Sequence, residues 1–548
     1  MGAKGTRIAP PLTDAQWQRL LSYGTPTETT RGDVLFRAGD RWSDLILIES
    51  GAVDVVREAL RWVEETPIAR LGPRTFVGEL GLLNGQRAFL TARVAESGRM
   101  RRVDHDALLR LMAEDDELCD LMLRTLWARR EELRRGPAAW TLKLIGSGRS
   151  RDAVALRRFA ERLDLVHTWV DSDDPATAEA IASHGYQPED FPVAIVQGQD
   201  VLRATPGRIA ELMGLAYTAE EDSDVDLAVV GAGPAGLAAA IYGASEGLRT
   251  VLLDGVAPGG QSSATSRIEN YLGFPFGVSG DDLTAQACLQ AIKFGVRVVA
   301  PCEAVSLEST PDALEVTLAD GAVVRARAVV VTTGVAYRSL GLDRWKHFEG
   351  AGIHYAASTL ELRQLAGAEV TVVGGANSAG QAALALAASA CHVRLVVRSS
   401  DLSSQMSSYL VDRIVEDPRI DVHTGTQVVA LHGDDDLQRV TLGGAVSETV
   451  DCRGLFCFIG AEPATDWLGD VERDEHGFLH TGADVISLDE PWRDLGRMPL
   501  PFETSVPRVF AAGDVRRGSM KRVAAAVGEG SSAVASVHRA LAAAGVFV

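Results

Sequence analysis

The stretch 225–243, VDLAVVGAGPAGLAAAIYG, decides how the rest of this chain is read. Its apolar run 227–230 has the length and β-branched content of a buried parallel strand. The run breaks into Gly231-Ala232-Gly233-Pro234-Ala235-Gly236 and then into a long Ala- and Leu-rich stretch with helical character. GxGxxG placed between a strand and a helix is a dinucleotide-binding turn. Gly231 makes the tight turn, Gly233 lets the backbone approach a pyrophosphate, and Gly236 lets the helix pack on the strand. The phosphates would rest, beside Pro234 and Ala235, on the unpaired N–H groups at the positive end of that helix. A second strand over 250–253 ends in Asp254, where a carboxylate grips an adenosine ribose.

Working outward, 548 residues exceed one core and imply roughly three to five domains. With 46% hydrophobic and 23% charged residues, the composition is that of a globular protein. No apolar run approaches the roughly 20 residues of a membrane span. The opening MGAKGTRIAPPLTD lacks the apolar core of a signal peptide, so a cytoplasmic protein is expected. The net charge of −20 argues against nucleic acid or an anionic membrane as partner. The six cysteines (Cys119, Cys288, Cys302, Cys391, Cys452 and Cys457) include no CxxC. They are expected to be buried structural thiols, and no metal site is expected.

Residues 12–105 read as short strands with turn signals, among them Leu45-Ile46-Leu47-Ile48 and, after a Ser-Gly turn, Ala52-Val53-Asp54-Val55. Phe76-Val77-Gly78-Glu79-Leu80-Gly81 then leads to Arg87-Ala88-Phe89-Leu90. This succession resembles the cyclic-nucleotide-binding domain and its phosphate cassette. The resemblance implies that Gly78, Leu80 and Arg87 meet a cyclic phosphate and that Glu79 accepts from the ribose hydroxyl. After the arginine the resembled family carries a small or hydroxyl residue and then Ala, whereas this chain reads Ala88-Phe89-Leu90-Thr91, and Phe89 would crowd that phosphate. Two readings stay open: a cyclic-nucleotide site, or a docking module without nucleotide. Residues 105–135 follow as one or two amphipathic helices with an apolar stripe at Leu108, Leu109, Met112, Leu118, Leu121, Met122 and Leu126. Helices of this kind relay ligand binding or pair two subunits in the resembled family. Arg124, Arg129, Arg130, Arg134 and Arg135 read as capping charges on a solvated face.

From Trp140 to Leu215 the order strand, helix, strand, helix and a strand led by Pro192 resembles a thioredoxin or glutaredoxin module, with Pro192 at that family's cis-proline. The thiol position reads Gly146-Ser147-Gly148-Arg149-Ser150, so no thiol–disulfide exchange is expected there. An acidic linker, 218–224, follows.

From Val225 to the C-terminus the chain resembles the low-molecular-weight thioredoxin reductase family of FAD and nicotinamide flavoproteins. Pro258-Gly259-Gly260-Gln261, Ile268-Glu269-Asn270-Tyr271, Thr332-Thr333-Gly334, Gly513-Asp514 and Arg522-Val523-Ala524 carry the resemblance in family order. It implies FAD bound by Gly231, Gly233, Pro234, Ala235, Gly236, Asp254, Gly259, Gly260, Gln261, Asn270, Thr333, Gly334, Gly513, Asp514 and the segment Arg522, Val523, Ala524. Asp514 would hold the ribityl chain. A second unit offers Gly374, Gly375, Ala376, Asn377, Ser378 and Ala379 for NADPH, with Arg398 at the 2′-phosphate. Here Ala376 replaces the glycine that admits the pyrophosphate, and Val397-Arg398-Ser399 replaces a basic cluster. A retained fold with an altered site is the rival reading.

The redox thiols of the resembled family stand just before this second unit. The matching stretch, Ile353-His354-Tyr355-Ala356-Ala357-Ser358-Thr359-Leu360, puts Ala356 and Thr359 in their places. A dithiol relay is therefore not expected. His354 and Tyr355 are the candidate catalytic residues, with His354 a proton source for an acceptor.

The expected architecture is multidomain: a β-roll with helices (1–136), an α/β thioredoxin-like module (137–217), the linker (218–224), and an α/β reductase of two Rossmann-like units, FAD-binding (225–345 and 466–548) and NAD(P)-binding (346–465). The expected function is an FAD-dependent NAD(P)H oxidoreductase, a homodimer by resemblance, that passes electrons to a small molecule or small redox protein and is regulated through its N-terminal domain. The alternative is a flavin-containing cyclic-nucleotide or redox sensor with little turnover.

Overall fold

The computed structural model describes residues 12–41, 44–59, 64–182, 184–218, 225–265, 267–310, 312–349, 351–355, 357, 359–403, 406–434, 436–486 and 490–543. Strand Val225–Val230 is buried along its whole length and lies in a seven-stranded sheet. Thr250–Leu253 and Arg297–Val299 continue the sheet on one side in parallel, and Val323–Val331 runs parallel on the other. The long strand Val323–Val331 has two partners along one edge: its first half pairs antiparallel with Leu314–Leu318, its last residues parallel with Val509–Ala511. The C-terminal segment thereby returns to the first unit.

Helix Pro234–Ser245 is apolar almost all round because it is covered twice, by the sheet and by helix Val523–Ala543. Glycine permits both approaches. A β-carbon on Gly236 would lie 1.8 Å from the Gly231 carbonyl oxygen, and one on Gly530 2.1 Å from that of Ala235.

The second unit has a five-stranded parallel sheet, in order Ile353–His354, Gly454–Cys457, Glu369–Val373, His392–Val397, Ile420–Thr424, with a three-stranded antiparallel sheet beside it. The two crossings between units pair with each other as strands Val335–Tyr337 and Ala461–Pro463.

At the N-terminus two four-stranded antiparallel sheets form the expected β-roll. The helical stretch after it is two helices, His105–Glu114 and Asp116–Arg135, parted at Asp115, whose side chain accepts the Leu118 N–H. Their apolar stripe is covered within the chain: Leu108, Leu111, Met112, Leu118 and Met122 share one core with Ala291, Ile292 and Val296 of the reductase. That stripe is thus not a face left for a second subunit. The middle module has strand order Thr168–Asp171, Leu142–Gly146, Val193–Val196, Gln199–Val201, with a cis bond before Pro192. Strand Thr168–Asp171 follows a turn in which Asp164 has φ +51°. Linker residues 219–224 lie outside the described residues, as does Ala356. No described helix is long and apolar enough to cross a membrane, and no metal-ligating cluster occurs among the described residues.

Candidate functional site

The dinucleotide turn shows three glycines with three separate reasons. Gly231 has φ +105°, and a β-carbon there would lie 2.4 Å from the Thr332 carbonyl oxygen. Gly236 is closed by backbone, as above. Gly233 is extended, at φ −74°, and a β-carbon would meet only the Gly260 α-carbon, at 4.0 Å. Open space at that position, before the uncapped N–H groups of helix Pro234–Ser245, is what a pyrophosphate needs.

Around it the loops are tied by backbone. The Gly259 N–H donates to the Ala232 carbonyl at 2.8 Å, and Gly260 lies opposite Gly233. Gln261 donates through its side chain to the Val335 carbonyl at the crossing, and Thr333 Oγ1 donates to the Ala464 carbonyl at 2.7 Å. Gly334 takes φ +64° beside it. Asp254 accepts from the N–H groups of Ala232 at 2.7 Å and of Val256 and Ala257, both at 2.9 Å, so both of its oxygens shape the turn. Burial pushes its carboxyl up against those three bonds. Asn270 is exposed on a loop pinned by the Ile268–Val278 pairing.

Gly513 donates its N–H to Glu529 Oε2 at 2.8 Å, and Arg516 forks onto the same carboxylate at 2.8 and 3.2 Å. This leaves Asp514 without a hydrogen bond among the described residues, its carboxyl raised by burial. An unspent carboxylate there fits the expected hold on a ribityl chain. Arg522 is exposed, and Val523 and Ala524 open the helix Val523–Ala543. The cradle left open by Gly233, Gly260 and Asp514 fits FAD.

The second turn repeats the first with one change. Gly374 has φ +145°, and a β-carbon would lie 2.4 Å from the Phe458 carbonyl oxygen. Ala376 caps helix Asn377–Ala388 in an extended conformation, φ −101°, close to that of Gly233. Conformation therefore does not demand glycine; the alanine methyl only takes space. Asn377 Oδ1 accepts the Ser407 N–H at 2.8 Å, which ties the serine-rich loop to this helix start. Gly375 lies against Val397, Ser378 is exposed and Ala379 is buried behind the turn. Arg398 is exposed at the end of strand His392–Val397.

At strand Ile353–His354, His354 stacks on Phe456 at 5.0 Å between ring centres. Burial pushes its pKa down to about 4, with Glu361 opposing and Arg158 assisting. The ring is therefore neutral near pH 7 and is not an imidazolium acid. Tyr355 donates its hydroxyl to Glu349 at 2.6 Å, receives Trp345 Nε1 at 2.9 Å, and stacks on Tyr337 at 5.1 Å. Its proton is committed, and burial raises its pKa further. Thr359 opens the short helix Thr359–Gln364, which brings in Glu361, 5% exposed. Arg158, from the middle module, pairs with Glu361 at 2.6 Å.

The His354 shift predicts an acid sensitivity. The folded pKa lies below the unfolded value of 6.5, so the unfolded chain takes up a proton first as pH falls. The contribution of this neutral ring is fully present above pH 6.5 and is lost as pH falls towards 4, by about 3 kcal/mol at the limit. Thermal midpoints between pH 7 and 4.5 should fall less steeply for His354→Gln than for the natural chain.

At the cassette the expected ligand residues are engaged with protein. Glu79, 7% exposed, pairs with Arg130 at 2.6 Å and accepts the Gly81 N–H at 2.8 Å. Arg130 is 1% exposed, which corrects the solvated-face reading for this arginine, whereas Arg124 and Arg135 of the same run are exposed. Arg129 likewise turns inward, onto the Phe76 and Gly78 carbonyls at 2.8 Å. The helix reaches back over the cassette, so Arg129 and Arg130 face carbonyls and a carboxylate, not water. Gly78 and Leu80 are buried. Arg87 donates from its side chain to the Gly39 carbonyl at 3.0 Å and from its backbone to Met213 at 2.8 Å. Phe89, 6% exposed, packs with Ala138, Ala139 and Val166 at the junction with the middle module.

Arg130, Arg158, Glu361 and Glu529 were not singled out as functional from the sequence. Their partners lie far along the chain, and no local spacing marks them.

Residues 225–530 match the family model "Pyridine nucleotide-disulphide oxidoreductase", and residues 26–115 match "Cyclic nucleotide-binding domain". The chain belongs to the pyridine nucleotide-disulphide oxidoreductase family, and its C-terminal half is a thioredoxin reductase-like flavoprotein whose family uses FAD and NADPH. It is 33% identical to a thioredoxin reductase of Streptomyces clavuligerus over 327 residues, 59% of this chain and 95% of that one. A thioredoxin reductase of Treponema pallidum is 31% identical over 315 residues, 57% of this chain and 95% of its own length. Among solved structures, Lactococcus lactis thioredoxin reductase aligns with a TM-score of 0.49 at 25% identity, covering 58% of this chain and 99% of that one.

Proposed function

We propose that the chain is an FAD-dependent NAD(P)H oxidoreductase of the cytoplasm that works without a redox disulfide of its own. It passes electrons from flavin to a small molecule or small redox protein, as a homodimer read from the family resemblance. The observation that carries this is the thiol segment: it contains no cysteine, and instead holds a neutral His354 on Phe456 and a hydrogen-bonded Tyr355. Bound FAD supplies two-electron exchange with a nicotinamide and one- or two-electron exchange with an acceptor.

The residues contribute binding and exclusion. Gly233 and the helix N–H groups would seat the pyrophosphate, and Asp514 would take the ribityl hydroxyls. Gly374 to Ala379 would seat NADPH, with Arg398 facing its 2′-phosphate. Neutral His354 can donate or accept one hydrogen bond to an acceptor beside the flavin, while Tyr355 forms a fixed wall. The N-terminal domain would regulate the reductase by differential binding of a cyclic nucleotide, which requires Arg87 and Glu79 to exchange their protein partners for ligand.

The sensor reading has one observation in its favour, the Ala376 methyl together with the Ser407–Asn377 tie at the nicotinamide helix start. Anaerobic titration of the yellow protein with NADPH and then NADH separates the two. Prompt loss of the oxidised flavin band with NADPH is expected, and turnover is then compared with and without cAMP or cGMP. A flavin that stays oxidised in excess of both nicotinamides would establish the sensor instead.

A further inference from the structure

Helix Arg151–Arg162 of the middle module does more than pack on its own sheet. Arg151 and Arg158, seven residues apart, lie on one face. Arg151 Nη1 donates to the Lys346 carbonyl at 3.3 Å, and Arg158 Nη2 meets Glu361 Oε1 at 2.6 Å. Both partners belong to the nicotinamide side of the reductase. Glu361 sits on helix Thr359–Gln364, joined by four residues to strand Ile353–His354. Its carboxylate is buried, so its pairing is not interchangeable with water.

The far end of the same helix is anchored separately. Asp164, two residues beyond it, accepts Arg130 Nη1 at its carbonyl, at 3.1 Å, and pairs with Arg134 at 2.6 Å. Arg130 is the residue that holds Glu79 of the cassette. One helix is therefore gripped at its end by the N-terminal domain and, along its face, grips helix Thr359–Gln364, just after Tyr355, whose ring stacks on Tyr337 at the crossing between the two units.

We propose that Arg158 is a positioning residue of the reductase: through Glu361 it holds helix Thr359–Gln364 in place from a different module. The middle module, which has no thiol, thus serves the reaction as a fixed brace. The inference rests on the flavin-reductase reading above, and its test is built to fail separately from it.

The test uses the full-length, FAD-loaded chain as Arg158→Gln, Glu361→Gln, the double variant and Arg158→Lys. Amide hydrogen exchange across 359–364 is expected to quicken at least tenfold in each single glutamine variant. The double variant should be no faster than the worse single one, because both remove the same pair. In NADPH-driven ferricyanide reduction, kcat should fall at least fivefold with the KM for NADPH unchanged, and Arg158→Lys should recover part of it. Unchanged exchange in Arg158→Gln, or effects that add in the double variant, would overturn the proposal. Faster exchange with kcat unmoved would also overturn it, leaving a structural dock. A natural chain that reduces no ferricyanide would overturn the reductase reading, and the exchange cycle would then decide the brace alone.

Discussion

Gly233→Ala should give a folded but colourless protein, whereas Gly236→Ala should give little folded protein at all. The two glycines stand three residues apart in one motif, yet they meet different neighbours. A β-carbon on Gly236 would lie 1.8 Å from the Gly231 carbonyl oxygen and 2.6 Å from Thr332 Oγ1. The closest of these atoms is backbone in a turn whose own glycine sits at φ +105°, so no side-chain rotation relieves the clash. Overpacking of core sites costs about 1–3 kcal/mol when neighbours can yield, and this neighbour cannot, so about 3 kcal/mol or more is expected. At Gly233 the added carbon has only Gly260 for company, at 4.0 Å, and an extended backbone accepts any residue. The methyl instead occupies the approach of the pyrophosphate. Loss of FAD affinity by about a hundredfold or more, roughly 3 kcal/mol, is expected with the apoprotein's thermal midpoint unchanged. Flavin absorbance per chain and calorimetry of the stripped proteins measure both. Equal loss of stability in the two variants would mean that Gly233 is structural as well.

Arg130→Met should be the most damaging single change in the N-terminal half. Arg130 and Glu79 are both buried, and removing one member strands the other's charge in a low dielectric, at a cost of about 3–5 kcal/mol. Glu79 would keep only the Gly81 N–H, and Gln86 and the Asp164 carbonyl would lose a donor. Pairing it with Glu79→Leu should restore much of the loss, because an apolar pair has no charge to desolvate. The double variant separates charge from architecture, since it would remain folded while losing the link between cassette and middle module. Scanning calorimetry identifies which transition moves. A single variant within about 1 kcal/mol of the natural chain would show that water reaches Glu79.

The parts legible in the sequence are those specified within a dozen residues. Strand Val225–Val230, its glycine turn and helix Pro234–Ser245 are local: apolar run, GxGxxG and helix formers follow one another, and each glycine's role depends on the turn itself. The second turn at Gly374, the absent thiols and the cis bond before Pro192 are equally local. The same stretch could not reveal how far its residues would be committed elsewhere. Asp254 reads as a ribose ligand by position, and the fold uses both its oxygens on backbone N–H groups. Arg130 reads as a solvated terminal charge by its place at a helix end, and the fold turns that end onto Glu79, 51 residues away.

Sequence alone thus determined the family and the absence of any CxxC pair, because motif and absence are both written in adjacent residues. Only the tertiary structure decided that the helix stripe is covered by the reductase, that the cassette's Glu79 and Arg87 are engaged, and that Arg158 reaches Glu361. Pairing across 203 residues is set by how separate sheets pack, and the lone charges involved carry no period or spacing that could announce it.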